Sequence, residues 1–263
     1  MRGLRFNRIA ATYDRVRPGY PRQLLDTALR DRTVTQVLEV GCGTGQLTGA
    51  LVARGLEVQG VEPGPSLAEL ARKRAPGAVI HLGRFEDVSL PDAAFDAVFS
   101  ASAFHWIDPA VGWAKAARVL RPGGTLALLS HVYVTDDATR AAHEAAAAIY
   151  GADWRLRPEE EVLAGARDRR GNVSEVLAWL DNPTMAVPEA AQLFGEVELD
   201  AVPERYDLDA GELLDLQRTT ATHLYIDPAD LDRVERKLVE LVERLGGRFP
   251  IRQVAIAAVA ERR

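Results

Sequence analysis

Gly41, Gly43 and Gly45, three glycines in the five residues that close VLEVGCGTGQL on its turn, are where this chain could hold a ligand. Without a Cβ the backbone can take positive φ, and a ligand can approach the main chain at van der Waals distance. Amides at a helix start just beyond would be free to serve it. Glu39 precedes the turn, and Glu62, with Pro63 beside it in VEPGPS, lies 21 residues after Gly41. A carboxylate in that place accepts hydrogen bonds from two vicinal ribose hydroxyls. A dinucleotide turn requires glycine at its first, third and sixth positions, and the sixth position here is Gln46, so that pattern fails. Cys42 has no base patterned around it and is expected to border the ligand as a small side chain rather than to act as a nucleophile. His105, followed by Trp106, and His131 are the imidazoles placed to accept a proton from a hydroxyl or amine, or else to pack beneath loops. His223 and Tyr225 in TTATHLYID could line a substrate side, while His81 and His143 carry no comparable signal. No His, Cys or carboxylate set has metal-ligand spacing.

These residues need a scaffold that brings strand ends together. From residue 36 short apolar runs alternate with amphipathic stretches, the pattern of βαβ units building a parallel sheet. QVLEV (36–40), LEVQGV (56–61), AVIHL (78–82), FDAVFS (95–100) and TLALLS (125–130) are expected strands. GQLTGALVARG, PSLAELARKRAPG with a cap signal at Ser66, and PAVGWAKAARVLRPGG with Pro109 in its first turn are expected helices. The Ala-, Arg- and Glu-rich stretch 132–194 reads as a helical insertion. Two further strands, 196–208 and 251–263, close the chain around helical segments near 209–217 and 227–245. PADLDRVERKLVELVERLGG is the cleanest amphipathic helix among them.

Glu39-x-Gly41-x-Gly43-x-Gly45 resembles the first motif of class I S-adenosylmethionine-dependent methyltransferases. FDAVFSASAFHWIDP, LRPGGTLAL, the N-terminal ATYDRVRPGYP and the closing RFPIRQVAIAAVAERR are similar to one subgroup of them, the type 11 and trans-aconitate methyltransferase-like enzymes, so the resemblance spans nearly the whole chain. It implies an α/β, Rossmann-like, seven-stranded and mostly parallel sheet with helices on both faces, an antiparallel last strand and a helical insertion after the fifth strand. The expected division is a lid at 1–34, a cofactor-binding core at 35–131, a substrate-covering insertion at 132–194 and a completing segment at 195–263. The cofactor implied is S-adenosylmethionine, bordered by Glu39, Gly41, Cys42, Gly43, Gly45, Glu62 and Pro63, with Ser100 and Ala101 flanking its methionine part. Tyr13 and Tyr20, with Arg17 between them, are expected in a lid over it. GRFEDVSLPDAAFD matches the family's adenine segment but has Arg84 where an acidic residue is usual. Phe85 covering the adenine ring and Glu86 taking the polar contact is one reading; a plain loop is the other.

Methyl transfer from a sulfonium is an in-line displacement in which positioning carries most of the rate. A carboxylate acceptor would need an arginine, for which Arg17, Arg155 and Arg157 are candidates. A hydroxyl or amine would make His105 or His131 the expected base. Composition bounds the partners. Of 263 residues, 32 are Lys or Arg and 38 Asp or Glu, a net charge of −6, and 47% are apolar, which excludes disorder and fibrous repeats. The acidic balance argues against nucleic acid, MRGLRFNRIAATYD lacks the apolar stretch that a signal peptide needs, and nowhere in the sequence do 18 apolar residues run together. One cysteine fits a reducing compartment, so a cytoplasmic enzyme, monomer or homodimer, acting on a small molecule is expected. Two competing readings are a protein that binds S-adenosylmethionine without transferring methyl and, less favoured, an NAD-dependent oxidoreductase.

Overall fold

Strand β1 (Gln36–Val40) is buried at four of its five residues because it lies mid-sheet with helices on both sides, the environment that selects continuous apolar runs. The structure, a computed structural model, describes residues 3–30, 33–151 and 155–263. Residues 1–2 and 31–32 of the expected lid and 152–154 of the expected insertion therefore lie outside the described residues. The remaining strands are β2 (Glu57–Glu62), β3 (Val79–Leu82), β4 (Phe95–Ala101), β5 (Leu120–Thr135), the two-residue β6 (Arg157–Pro158), β7 (Glu198–Leu208) and β8 (Phe249–Glu261). Their order is β3-β2-β1-β4-β5-β8-β7, with β6 pairing the far end of β5. The first five strands run parallel, and β8 is antiparallel to both β5 and β7.

The helices are α1 (Ala10–Val16), α2 (Arg22–Leu29), α3 (Gln46–Val52), α4 (Pro65–Arg74), α5 (Pro109–Val119), α6 (Arg140–Ile149), α7 (Glu159–Asp168), α8 (Val173–Leu180), α9 (Ala190–Leu193), α10 (Ala210–Arg218), α11 (Ala221–Leu224) and α12 (Pro228–Arg244). Alternation along β1 divides the core. Val37 joins Phe99, Leu129 and Ala257 beneath Leu24 and Leu25 of α2 and Leu51 of α3. Leu38 joins Val98, Leu128 and Ile256 beneath Trp113 of α5, Val162 of α7 and Val176 of α8. Each of the Val, Leu, Ile and Phe side chains among them contributes about 1.5–3 kcal/mol by leaving water. Among the described residues no helix is long and apolar enough to cross a membrane.

Two local expectations are corrected. The fifth strand is not confined to 125–130: thirteen-residue β8 pairs with it as far as Tyr133, and the sheet carries it past the other strand ends. Helix α4 is not capped by Ser66. Gly64 is its N-cap and Pro65 its first residue, and the Ser66 amide donates instead to Asn7 Oδ1 at 2.6 Å, from the N-terminal segment.

Candidate functional site

Strands are added to one side of β1 as β2 and β3 and then to its other side as β4 and β5, and at this switch point between β1 and β4 a crevice opens above the carboxyl ends of the strands, where ligands bind in open α/β sheets. The cavity there, about 270 Å³, is lined by Gly41, Gly43, Glu62, Pro63, Ala101, His105 and His131 among others. A smaller recess of about 70 Å³ shares Gly41, Gly43, Ala101 and His131 and reaches Glu39 and Cys42. Sequence positions far apart thus meet at one crevice.

The turn after β1 is pinned by the amides of Gly41 and Cys42, which both donate to Val61 O. Gly43 and Gly45 serve different ends. Gly45 has φ +81°, and a Cβ on it would stand 2.7 Å from Ala71 Cα, so α3 and α4 can approach only because the methyl is absent. Gly43 has φ +55° and nothing within 4 Å of where its Cβ would be: bare main chain facing the crevice. Glu62 accepts from Gly43 N at 3.0 Å through Oε2 and from Gly64 N at 2.8 Å through Oε1. Burial raises its pKa, and these two amides oppose the rise. Glu39, 1% exposed, accepts from Thr48 Oγ1 at 2.5 Å. Burial pushes its carboxyl up to about 8, with a smaller push from Glu62. The Cys42 thiol is pushed up by burial, which leaves it a packing group.

The N-terminal segment lies over the crevice. Tyr13 lines it, with the Arg17 guanidinium 5.5 Å from the Tyr13 ring centroid. Arg17 Nε donates to Thr219 Oγ1 at 2.9 Å and Nη2 to Thr219 O at 2.6 Å, which fastens α1 to the end of α10. Gln46 Nε2 donates to Arg17 O at 3.1 Å, tying the same point to α3. Tyr20 shares a 2.7 Å hydrogen bond with Ser102 Oγ and donates to Leu129 O at 3.2 Å. Burial carries its phenol well above the usual range. Ser102 holds φ +47° at the end of β4, a left-handed conformation that a non-glycine residue adopts only under constraint. Phe6 meets Trp106 edge-on, 5.9 Å between ring centroids, where both line the cavity.

Both candidate imidazoles face the crevice, each beside a carboxylate. His105 Nδ1 is 3.6 Å from Asp181 Oδ2, which accepts from Ser130 Oγ at 2.7 Å. His131 Nε2 is 3.3 Å from Glu204 Oε2, and its ring stacks on Tyr20 with centroids 4.2 Å apart and planes at 15°. Asp181, Glu204 and Thr219 carry no mark in the sequence. Asp181 ends a helix in WLDNP and Glu204 sits in an alternating strand, so nothing local set them apart.

Other expected contacts are not gathered here. Phe85 is 1% exposed and packs in the core near Phe104, with Lys115 Nζ 5.2 Å from its ring centroid, so it cannot cover an adenine. Glu86 Oε1 accepts from Arg84 Nη2 at 2.6 Å and from Asp108 N at 3.1 Å, and the residue does not line the crevice. Ser100 is buried and donates to Val40 O at 2.8 Å, joining β4 to β1, while neighbouring Ala101 lines the cavity. His223 is buried 3.2 Å from both Tyr150 Oη and Glu235 Oε1, and Tyr225 is exposed; it is Ala221 of the same segment that reaches the cavity. Arg157 stacks on Trp179 at 4.0 Å and Arg155 borders a separate depression, leaving Arg17 as the arginine of the three at the crevice. His81 bonds Gln59 and His143 bonds Pro250 O. Among the described residues no cluster could hold a metal ion.

Comparison with known proteins places this geometry. A family model described as a methyltransferase domain matches residues 38–128. An uncharacterized methyltransferase of Mycobacterium tuberculosis is 44% identical over 126 residues, 48% of this chain and 51% of that protein. Another, from Geobacillus kaustophilus, is 33% identical over 156 residues, 54% of this chain and 73% of that protein. The chain thus spans about half the length of the mycobacterial relative. A solved structure described as a type II methyltransferase of Anaeromyxobacter dehalogenans shares the fold with a TM-score of 0.62 at 24% identity, covering 93% of this chain and 97% of that one.

Proposed function

Because the chain belongs to the class I S-adenosylmethionine-dependent methyltransferases, we propose that it methylates a small-molecule acceptor held in the crevice beneath α1. The observation that carries the reading is the pairing of two buried carboxyls around bare main chain at Gly43. Glu39 is an acid without a counter-cation, bordering the smaller recess. The ammonium of the cofactor's amino-acid end is the group that would return it to its charged form. Glu62 has accepted one amide on each oxygen and keeps lone pairs for two ribose hydroxyls. Gly41, Cys42 and Gly43 form the wall between them, Pro63 and Leu67 border the nucleoside side, and Ala101 borders the methionine side. When bound, S-adenosylmethionine supplies an electrophilic methyl carbon whose bond to sulfur breaks, the pair returning to sulfur, as the bond to the acceptor forms.

The chain's own part is positioning and exclusion of water. Tyr13, Arg17 and Tyr20 close one side, and Phe6 and Trp106 close the mouth. His105 and His131 stand where a proton leaving the acceptor can be received. With Arg17 as the sole Arg or Lys lining the crevice among the described residues, the acceptor is small rather than a polyanionic nucleic acid. The setting proposed is the cytoplasm, in keeping with one buried free thiol.

Calorimetric titration with S-adenosylhomocysteine and separately with NAD tests the reading. Saturable binding of the first and none of the second is expected, with the affinity lost in Glu62→Ala. Binding of NAD alone, or of neither, overturns it.

A further inference from the structure

We infer that the acceptor is a hydroxyl, and that its proton is taken by Nδ1 of His131, an imidazole positioned by Glu204 of β7. This rests on the function proposed above and goes on to name the nucleophile. Three observations converge on His131. Its Nε2 is buried 3.3 Å from Glu204 Oε2, within ion-pair distance but short of hydrogen-bond geometry, and among the described residues no partner occupies Nδ1, which leaves that nitrogen for the crevice the ring lines. Glu204 is itself held, accepting from Gln253 Nε2 of β8 at 2.7 Å, and its carboxyl sits below the usual range chiefly because of His131. The ring plane is set by stacking on Tyr20, whose hydroxyl is anchored to Ser102 and Leu129 O. A carboxylate beside one ring nitrogen fixes the tautomer and stabilises the imidazolium formed when the other accepts a proton. His105 has the looser arrangement: 3.6 Å from Asp181, whose nearer oxygen already accepts from Ser130.

Charge selects the nucleophile. The crevice walls carry Asp181, with Glu204 behind His131, against Arg17, whose Nε and Nη2 are spent on Thr219. A carboxylate acceptor would enter beside acids with no free bidentate partner. An alkyl amine arrives as an ammonium with no lone pair and must lose its proton before it can attack, whereas a hydroxyl keeps its lone pairs and can pass its proton to an imidazole as the new bond forms. In the step, the acceptor oxygen bonds to the methyl carbon, the carbon–sulfur pair stays on sulfur, and the O–H proton moves to Nδ1, from which water removes it after product leaves. Among the described residues the charged and titratable groups that share the two recesses with the ring or pack beside it are Glu204 of β7, Tyr20 before α2, Tyr133 of β5, Tyr13 and Arg17 at α1, Asp181 after α8, His105 after β4, and Glu39, Cys42 and Glu62 at the turn and the end of β2.

The pair is tested on the protein without any acceptor. In ¹⁵N-histidine spectra, His131 is expected as the Nε2–H tautomer, a preference lost in Glu204→Gln and returning in part in Glu204→Asp. Retained S-adenosylhomocysteine binding certifies that each variant is folded. An unchanged tautomer in Glu204→Gln removes Glu204 from the proposal. The nucleophile is tested by incubating the protein with labelled S-adenosylmethionine and a pooled small-molecule extract. Label that survives mild alkali and is released as methyl iodide by hot hydriodic acid is a methyl ether, the expected product, and its formation falls about a hundredfold in His131→Ala. Alkali-labile label is an ester, and label resistant to both reagents is on nitrogen or carbon; either overturns the hydroxyl. Failure to bind S-adenosylhomocysteine at all would count against the family function instead.

Discussion

At the scale of single residues, the two glycines of the turn separate folding from binding. Gly43→Ala adds a methyl with no neighbour within 4 Å, so its cost to stability is the roughly 1–2 kcal/mol of a left-handed non-glycine residue. Its cost to S-adenosylhomocysteine affinity is expected to be tenfold or more, because the methyl stands where ligand meets main chain. Gly45→Ala should do the reverse, lowering the melting temperature further through overlap with Ala71 while the folded fraction still binds. Equal effects of the two on both measurements would contradict this division. Glu39 makes a second prediction, about protons. Its pKa rises from 4.5 unfolded to about 8 folded, so the folded state favours the neutral acid. The stability it contributes is complete below about pH 4.5, declines as pH climbs, and is gone above about 8. The ligand-free protein should lose melting temperature over that window, and Glu39→Gln should flatten the loss. Ligand binding at pH 7 should expel close to one proton, read from calorimetry in buffers of differing ionisation enthalpy, and none in Glu39→Gln. Both glycines and both glutamates stand out in the sequence, since a turn and the strand end beside it are local, but the motif sets Gly45 beside the cofactor, and only the packed structure shows it making room for Ala71 of α4. Asp181, Glu204 and Thr219 gain their meaning only when α8, β7 and α10 are packed around the crevice, and no one-dimensional pattern marks them.

Among elements, the N-terminal helix behaves as a clasp rather than as part of the core. It is held by side-chain bonds at its margins: Arg17 to Thr219, Arg15 to Asp215 at 2.7 Å, Asp14 to Arg74 at 2.8 Å, and Asn7 to the start of α4. Exposed pairs of this kind are worth little individually, about 0–1 kcal/mol. Amides in 6–17 should therefore exchange faster than those of β1 or β4 in the free protein and slow when S-adenosylhomocysteine is bound. Arg17→Ala should weaken binding about tenfold with little change in melting temperature; a large loss of stability would place α1 in the core instead. The strands were readable because each is a short apolar run between breakers. The true length of β5 was not, because Val132–Thr135 owes its strand geometry to pairing with β8 and β6, more than twenty residues away in sequence. The adenine segment misled for a related reason: Phe85 is apolar and adjacent to the crevice in sequence, but the core beneath α5 offers its ring a better place.

The molecule as a whole assembles its crevice from Tyr13 and Arg17 near the start of the chain, the central sheet, Asp181 in the insertion and Ala221 late in the chain. A ligand that touches all of these links them, so saturation should raise the melting temperature of the entire unit in one transition. At a hundred times Kd the gain is about 2.7 kcal/mol, on the order of 5–10 °C for a chain of this size. NAD at the same concentration should give none, and two separate transitions would deny the linkage. Edge strand β7 is unsuited to extending the sheet into another copy, for it carries Pro203 and the charges of Glu198, Asp200, Glu204, Arg205 and Asp207. The bond between Arg17 and Thr219 spans some two hundred residues of sequence and has a bearing on synthesis. A polypeptide still emerging from the ribosome possesses its glycine turn and both acids long before it possesses Thr219. Until that residue is made and α10 has docked, the pocket has walls and no fastening, and a nucleoside that enters is free to leave.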